Sequence, residues 1–206
     1  METKEYIITE ADKLFCQFGF KSVTMDDIAR HLGISKKTIY QHFADKNELV
    51  NVLMEARYSS HDCEMKMHTK HGIDAVHEVL LGLDDMNEWL ITLNPKLFFD
   101  LQKYHPKAWF KFLQFKEQSL ASAISANMKR GIKEGVYRSD IHIHILTELR
   151  LAQTQLIFNE YNAYNRNKYS IPQVMLEITQ HFLFGMVTDK GKVKLEKYIN
   201  EQLIKQ

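Results

Sequence analysis

The sequence predicts an all-α fold. Three prolines and eight glycines in 206 residues leave long stretches of Leu, Ile, Phe, Glu, Lys and Gln without a chain breaker. Apolar residues recur at three- and four-residue intervals in one segment after another, and no sustained alternation bounded by turns marks a strand. The first segments open on a hydroxyl or carboxylate residue and close on glycine, as helices do. A chain of this length can bury a real core as one large or two modest domains.

Residues 3–18 place Ile7, Ala11, Leu14, Phe15 and Phe18 on one stripe that ends at Gly19. Thr24 stands three residues before Asp27, a pairing in which the hydroxyl accepts from a first-turn amide and the carboxylate answers the helix dipole. That helix buries Ile28, Ala29 and Leu32 and stops at Gly33, which takes the left-handed conformation cheaply. Ser35 caps a second short helix, Lys36 to Phe43, with Ile39 and Phe43 turned inward. Its opposite face carries Lys36, Lys37, Thr38, Tyr40 and His42, with no carboxylate in the chain until Asp45.

Asp45 and Glu48 open a longer helix with Leu49, Val52, Leu53 and Ala56 on one side. From Tyr58 to His71 the sequence turns polar and histidine-rich and reads as a solvated helix end and loop. Gly72 to Leu93 carries Ile73, Val76, Leu80, Leu83, Met86 and Leu90 before Asn94-Pro95 interrupts it. A short unit, Lys96 to His105, follows. A long helix then begins at Pro106, with Trp109, Leu113, Leu120, Ile124, Met128 and Ile132 on one stripe and Phe110, Phe112 and Phe115 beside it, and stops near Gly135. Ile141 to Tyr164 and Gln173 to Val187 are strong helices separated by the polar stretch Asn165 to Ile171 and Pro172. Gly191 to Gln206 reads as a charged terminal helix with Leu195, Tyr198, Ile199 and Leu203 inside.

Two short helices joined by a glycine-containing turn form a helix-turn-helix, whose second helix enters the DNA major groove. At this point the chain resembles the TetR family of bacterial transcriptional regulators. The resemblance covers residues 3 to about 55 and rests on Phe18-Gly19-Phe20, Thr24, Ile28-Ala29, Gly33-Ile34-Ser35, Thr38-Ile39-Tyr40, His42-Phe43, Lys46 and Leu49. It implies a three-helix DNA-binding domain, here residues 1–48, and a helical effector-binding and dimerisation domain, residues 49–206. It also implies that the two helices before the terminal one form a four-helix dimer interface. Their apolar residues point to more than one side, which calls for two packing partners; Leu151, Leu156, Phe158, Leu176, Leu183, Phe184 and Met186 are the candidates.

The net charge of +1 argues neither for nor against nucleic acid, and the first fifty residues are close to balance. Placement decides: three lysines stand against one aspartate between Ser35 and Lys46, and phosphates respond to that local field. Lys36, Lys37, Thr38 and His42 are assigned to base edges or nearby phosphates, Tyr40 to a phosphate or a thymine methyl, and Thr24 and Lys46 to backbone phosphates at helix N-termini, with Ser35 also among the DNA-binding residues. The partner is a double-stranded operator bound by a homodimer.

Trp89, Phe98, Phe99, Tyr104, Trp109, Phe112, Phe115, Phe158 and Tyr161 are the candidates for an effector site, since a flat or greasy small molecule needs such rings. Simple core packing is the competing account of each. Cys16 and Cys63 lie forty-seven positions apart in a chain with no signal peptide and no apolar run of eighteen residues. A cytoplasmic protein without membrane contact, disulfide or cofactor is expected. His61, Asp62, Cys63, Glu64, His68 and His71 are ligand types, but they lack the paired short spacings of a zinc site, so no metal is assigned.

A ligand-controlled repressor is the leading function. A DNA-bound architectural or protein-tethering factor without an effector is the alternative. An enzyme is disfavoured, because the chain has no glycine-rich phosphate loop, no His-Glu-x-x-His and no Gly-x-Ser-x-Gly.

Overall fold

The computed structural model describes residues 3–92, 94, 96–158 and 169–203. The elements are α1 Thr3–Phe18, α2 Met25–Leu32, α3 Lys36–Tyr40, α4 Lys46–His71, α5 Ala75–Thr92, α6 Leu97–Tyr104, α7 Pro106–Phe115, a π-helical turn Lys116–Leu120, α8 Ala121–Lys133, α9 Ile143–Phe158, α10 Ile171–Phe184 and α11 Asp189–Leu203. The only β pairing among the described residues is a single antiparallel bridge between Tyr137 and Val187. The fold is all-α as expected.

The chain divides into two compact units. The first gathers residues 1–60 with 92–115 and 158–161; the second gathers 61–91, 116–157 and 162–206.

In the first unit Ile7, Ala11 and Phe15 of α1, Ile28 of α2, Ile39 of α3 and Leu49 of α4 are fully buried. Phe18, expected on the α1 stripe, is 49% exposed, while Phe20 is buried and lies 4.9 Å from Phe15 between ring centroids. The intervening Gly19, at φ 83°, turns the chain so that the second ring goes inward. The buried side of α4 is Leu49, Val50, Leu53 and Met54, with Val52 half-buried and Ala56 exposed, so the stripe is rotated from the expected one.

Residues 94–105 close this unit. Asn94 donates its backbone N–H to the Cys16 carbonyl at 2.6 Å and its side-chain amide to the Gln17 carbonyl at 3.1 Å. These are orphan carbonyls at the end of α1, and buried helix ends require such partners. Buried Asp100 accepts from the Lys21 backbone at 2.8 Å, and buried His105 meets Asn47 at 2.7 Å and the edge of Phe20.

In the second unit Asp74 is the N-terminal cap of α5, accepting from the Val76 and His77 amides at 3.0 Å each. Its other oxygen takes Lys194 Nζ at 2.7 Å and the Tyr198 hydroxyl at 2.8 Å, tying α11 to α5. Ile73, expected on the α5 stripe, precedes the helix and is 70% exposed. Arg130 of α8 binds Glu78 and Glu134 and donates to the carbonyls of Thr69 and Gly72 where α4 ends. Fully buried Tyr137 donates to the Ala75 carbonyl and stands against Gly131, where a Cβ would lie 2.0 Å from the ring.

Three boundaries differ from the sequence reading for local reasons. The polar stretch 58–71 stays helical, because polar side chains exclude burial and not helix. The run from Pro106 is continuous in direction of chain but holds the π turn 116–120. Pro172 is the second residue of α10 instead of part of the preceding loop. Ser170 accepts from the Gln173 amide at 3.3 Å, Gln173 reaches back to the Ser170 amide at 2.9 Å, and proline is tolerated in a first turn whose amides have no helical partner. The expected continuation of the α9 helix to Tyr164 lies outside the described residues.

Candidate DNA-binding interface

The helix-turn-helix is built as its residues require. Thr24 Oγ1 accepts from the Asp27 amide at 3.2 Å, and Asp27 accepts from the Thr24 amide at 3.0 Å, closing a reciprocal cap. These bonds from Thr24 hold the Asp27 carboxyl below its ordinary range. Gly33 ends α2 at φ 65°, with the Ile34 amide reaching the Ala29 carbonyl at 3.1 Å. Ser35 Oγ accepts from the Thr38 amide at 3.1 Å and lies 2.8 Å from the Thr38 hydroxyl.

Regular helix in α3 ends at Tyr40, three residues before the expected end. His42 then bonds Ile39 at i−3, a tightened turn, while Phe43 keeps its i−4 bond to Ile39 at 3.0 Å. Ile39 and Phe43, at 0% and 1% exposure, pin the segment to the core. Lys36, Lys37 and Tyr40 are exposed on the other side, and Thr38 and His42 are half-buried.

One electrostatic feature escaped the linear reading. Asp26 of α2 lies beside Lys36, with Nζ 2.8 Å from Oδ1, so the recognition face does carry a carboxylate. The bond from Asp26 pushes the Lys36 ammonium pKa up. No spacing rule relates positions ten apart across a turn, and only the packing of α3 on α2 reveals the pair. The Lys36 ammonium also sits 5.9 Å from the Tyr40 ring centre. Lys37 is exposed without an ion pair among the described residues. Lys46, at the start of α4, is half-buried; burial lowers its pKa, opposed by the charges of Asp100 and Asp27.

Of the nine rings considered for an effector, four come together in the first unit. Phe112 lies 5.0 Å from Trp109 and 5.4 Å from Phe98, and Tyr58 stacks on Phe115 at 5.0 Å and approaches Phe112 at 6.4 Å. Tyr58 was missed because it begins the polar part of α4. Its hydroxyl is buried with no hydrogen-bond partner, as is Asn51 Oδ1 seven residues earlier on the same helix. Phe99 and Tyr104 stand under lysines instead, Lys103 for both and Lys21 for Tyr104. Tyr161 and the side chains of Trp89 and Phe158 lie outside the described residues.

On the helices considered for dimerisation, Leu151, Leu183 and Met186 are buried within the chain, Leu176 is half-buried and Phe184 is 42% exposed. The side chain of Leu156 lies outside the described residues. Among the described residues, Ile145 at 65% and Leu149 at 46% exposure are the large apolar residues that α9 leaves open. Both cysteines are free thiols, Cys16 buried and Cys63 exposed. Among the described residues no three His, Cys, Asp or Glu side chains gather as metal ligands would, and no helix is long and apolar enough to cross a membrane.

A family model described as bacterial regulatory proteins, tetR family, matches residues 7–53, the segment from α1 into α4. The uncharacterized HTH-type transcriptional regulator YvaF of Bacillus subtilis is 28% identical over 142 residues, 68% of this chain and 74% of that protein. TtgR of Pseudomonas putida, an HTH-type transcriptional regulator, is 38% identical over 61 residues, 30% of this chain and 29% of that one. The solved structure of a TetR-family regulator from Marinobacter aquaeolei shares the fold over 98% of both chains, with a TM-score of 0.75 at 16% identity. With its capped helix-turn-helix, the segment 7–53 matches the DNA-binding domain of the tetR family, and the chain is similar in sequence to HTH-type transcriptional regulators and in fold to a TetR-family regulator.

Proposed function

We propose that the protein is a cytoplasmic, ligand-controlled repressor that binds a palindromic operator as a homodimer. The observation that carries this reading is the face of α3: Tyr40 and Lys37 are exposed on a segment anchored by buried Ile39 and Phe43, as side chains meant for an outside partner must be. Lys36, Thr38 and His42 read base edges or nearby phosphates, and Thr24, Ser35, Tyr40 and Lys46 hold the DNA backbone. Residues 1–48 serve DNA, and residues 49–206 serve the effector and the second subunit.

Exposed Ile145, Leu149 and Phe184 support pairing of two chains through α9 and α10. The rings around Phe112, with the unpartnered Tyr58 hydroxyl among them, support a small hydrophobic or aromatic effector. Tyr58 lies on α4, whose first turns pack on the DNA-binding helices. A ligand that displaces α4 therefore changes the spacing of the two recognition helices, which is the differential contact regulation requires.

Selection from random duplexes tests the core of the proposal. An inverted repeat is expected, with half-site centres at least one turn, about 34 Å, apart, bound by two chains. An asymmetric site bound by one chain refutes it.

A further inference from the structure

Arg150 on α9 is buried at 9% exposure and pairs with no carboxylate among the described residues. One guanidinium nitrogen, Nη2, donates to the Thr179 hydroxyl of α10 at 2.7 Å, and the guanidinium carbon lies 5.4 Å from the centre of the Phe182 ring. The other terminal nitrogen, Nη1, is buried without a hydrogen-bond partner among the described residues. One turn further along α9, Gln153 Oε1 is a second buried polar atom without a partner. Buried cations are otherwise paired or they are costly, and natural folds retain such an arrangement where something else supplies the counter-charge.

The position on the helix says where that counter-charge comes from. Ile145, Glu148, Leu149 and Ala152 are exposed and share one face of α9, the face available to a second chain. Thr147, Arg150 and Leu151 are buried on the far side, toward the stripe of Met175, Thr179 and Phe182 on α10. The guanidinium thus points into its own protomer, away from a carboxylate that a partner subunit could bring. Burial alone pulls its pKa down to about 10, with no nearby charge of either sign contributing. A single unopposed positive charge in an apolar setting is balanced by one negative charge and no more.

We propose that Arg150 is the anchor of an internal binding site for a small monocarboxylate with an apolar body, its carboxylate on Nη1 and its carbon skeleton beside Phe182. Gln153 Oε1 accepts from a donor on the ligand or on a water carried with it. Arginine suits this role because its planar fork grips carboxylate oxygens and its face stacks on aromatic rings. The inference goes beyond the effector reading above and does not depend on the rings around Phe112 or on DNA binding.

The test is thermal melting of the full chain without DNA, using octanoate and benzoate as probes and 1-octanol and benzyl alcohol as their uncharged counterparts. At a hundred times the dissociation constant the acids are expected to raise Tm by roughly 5 to 10 °C, and the alcohols far less. Arg150→Met is expected to abolish the acid-selective shift while melting no lower than wild type without ligand, since the loss of the bond to Thr179 is offset by removal of a buried charge that has no counter-charge. Equal shifts from acid and alcohol, no shift from either acid, or a shift that survives in Arg150→Met overturns the proposal. So does loss of the dimer in Arg150→Met by sedimentation, which would assign the guanidinium to the subunit contact. If Arg150→Met does not fold, Arg150→Lys keeps the charge without the fork and is expected to bind the acids at least about tenfold more weakly; unchanged affinity refutes the assignment.

Discussion

Lys36 Nζ lies 2.8 Å from Asp26 Oδ1 and 3.0 Å from Oδ2, so the first lysine of the recognition helix is held by a carboxylate of the helix before it. Both side chains are about half exposed, and solvent screens an exposed pair of this kind so that it adds little to the fold. Its larger effect is on the field that DNA phosphates meet. Asp26→Asn is expected to leave Tm unchanged, raise affinity for all duplexes, and steepen the slope of log K against log salt by about 0.9, one additional phosphate contact. Anisotropy titrations at several salt concentrations measure this, and an unchanged slope would mean that Lys36 does not reach the backbone.

Tyr40→Ala and Lys46→Gln are expected to weaken binding to every duplex about tenfold each while base preference stays the same, because backbone contacts position without specifying. Lys37→Ala or Thr38→Ala is expected to change the preferred base in at least one half-site position. Binding to a panel of single-base variants separates the two behaviours. Full affinity in both the Tyr40 and Lys46 variants would remove α3 from the interface.

The Tyr58 hydroxyl is a polar atom buried among rings without a partner. Burial pushes the Tyr58 phenol pKa above its usual range. Tyr58→Phe is therefore expected to change stability by less than about 1 kcal/mol or to increase it, whereas Tyr58→Ala, which empties the place beside Phe115, is expected to cost about 3 to 5 kcal/mol. Urea melts compare them. A large loss in the phenylalanine variant would reveal a bond made by that hydroxyl in the native state.

Burial alone would raise the Asp74 carboxyl pKa, but Lys194, the His77 amide and Tyr198 together bring it below the ordinary value. A depressed carboxylate gives stability that is fully present above the unfolded pKa, about 4, and is lost as pH falls through the lower folded value. Asp74→Asn is expected to cost about 1.5 to 3 kcal/mol at neutral pH. Its melting curve should converge with that of wild type below about pH 4. Parallel curves down to low pH would contradict the linkage.

The DNA-binding end was legible because its signals are local. Thr24, Gly33 and Ser35 each specify a cap or a stop within four residues, and those bonds are present. The inner side of α4 was misread by one rotation, since Tyr58 and Arg57 are neither plain apolar nor plain polar and periodicity rules weigh them poorly. Asp26 on Lys36 and Asn94 on α1 join positions that no spacing rule connects. Nothing in a linear sequence distinguishes the buried guanidinium of Arg150 from a solvated one. The rings around Phe112 come from segments far apart in the chain, and their membership in the same unit as the recognition helix follows from long-range packing alone.

Asn94 has a consequence for how the chain comes off the ribosome. Because it and the segment to residue 115 belong to the unit that holds the helix-turn-helix, part of that unit's packing is still unmade when its own helices emerge. At about 5 to 20 residues per second, roughly 3 to 11 seconds pass between the synthesis of residues 60 and 115. Through that interval the carbonyls of Cys16 and Gln17 have water in place of Asn94 as their partner.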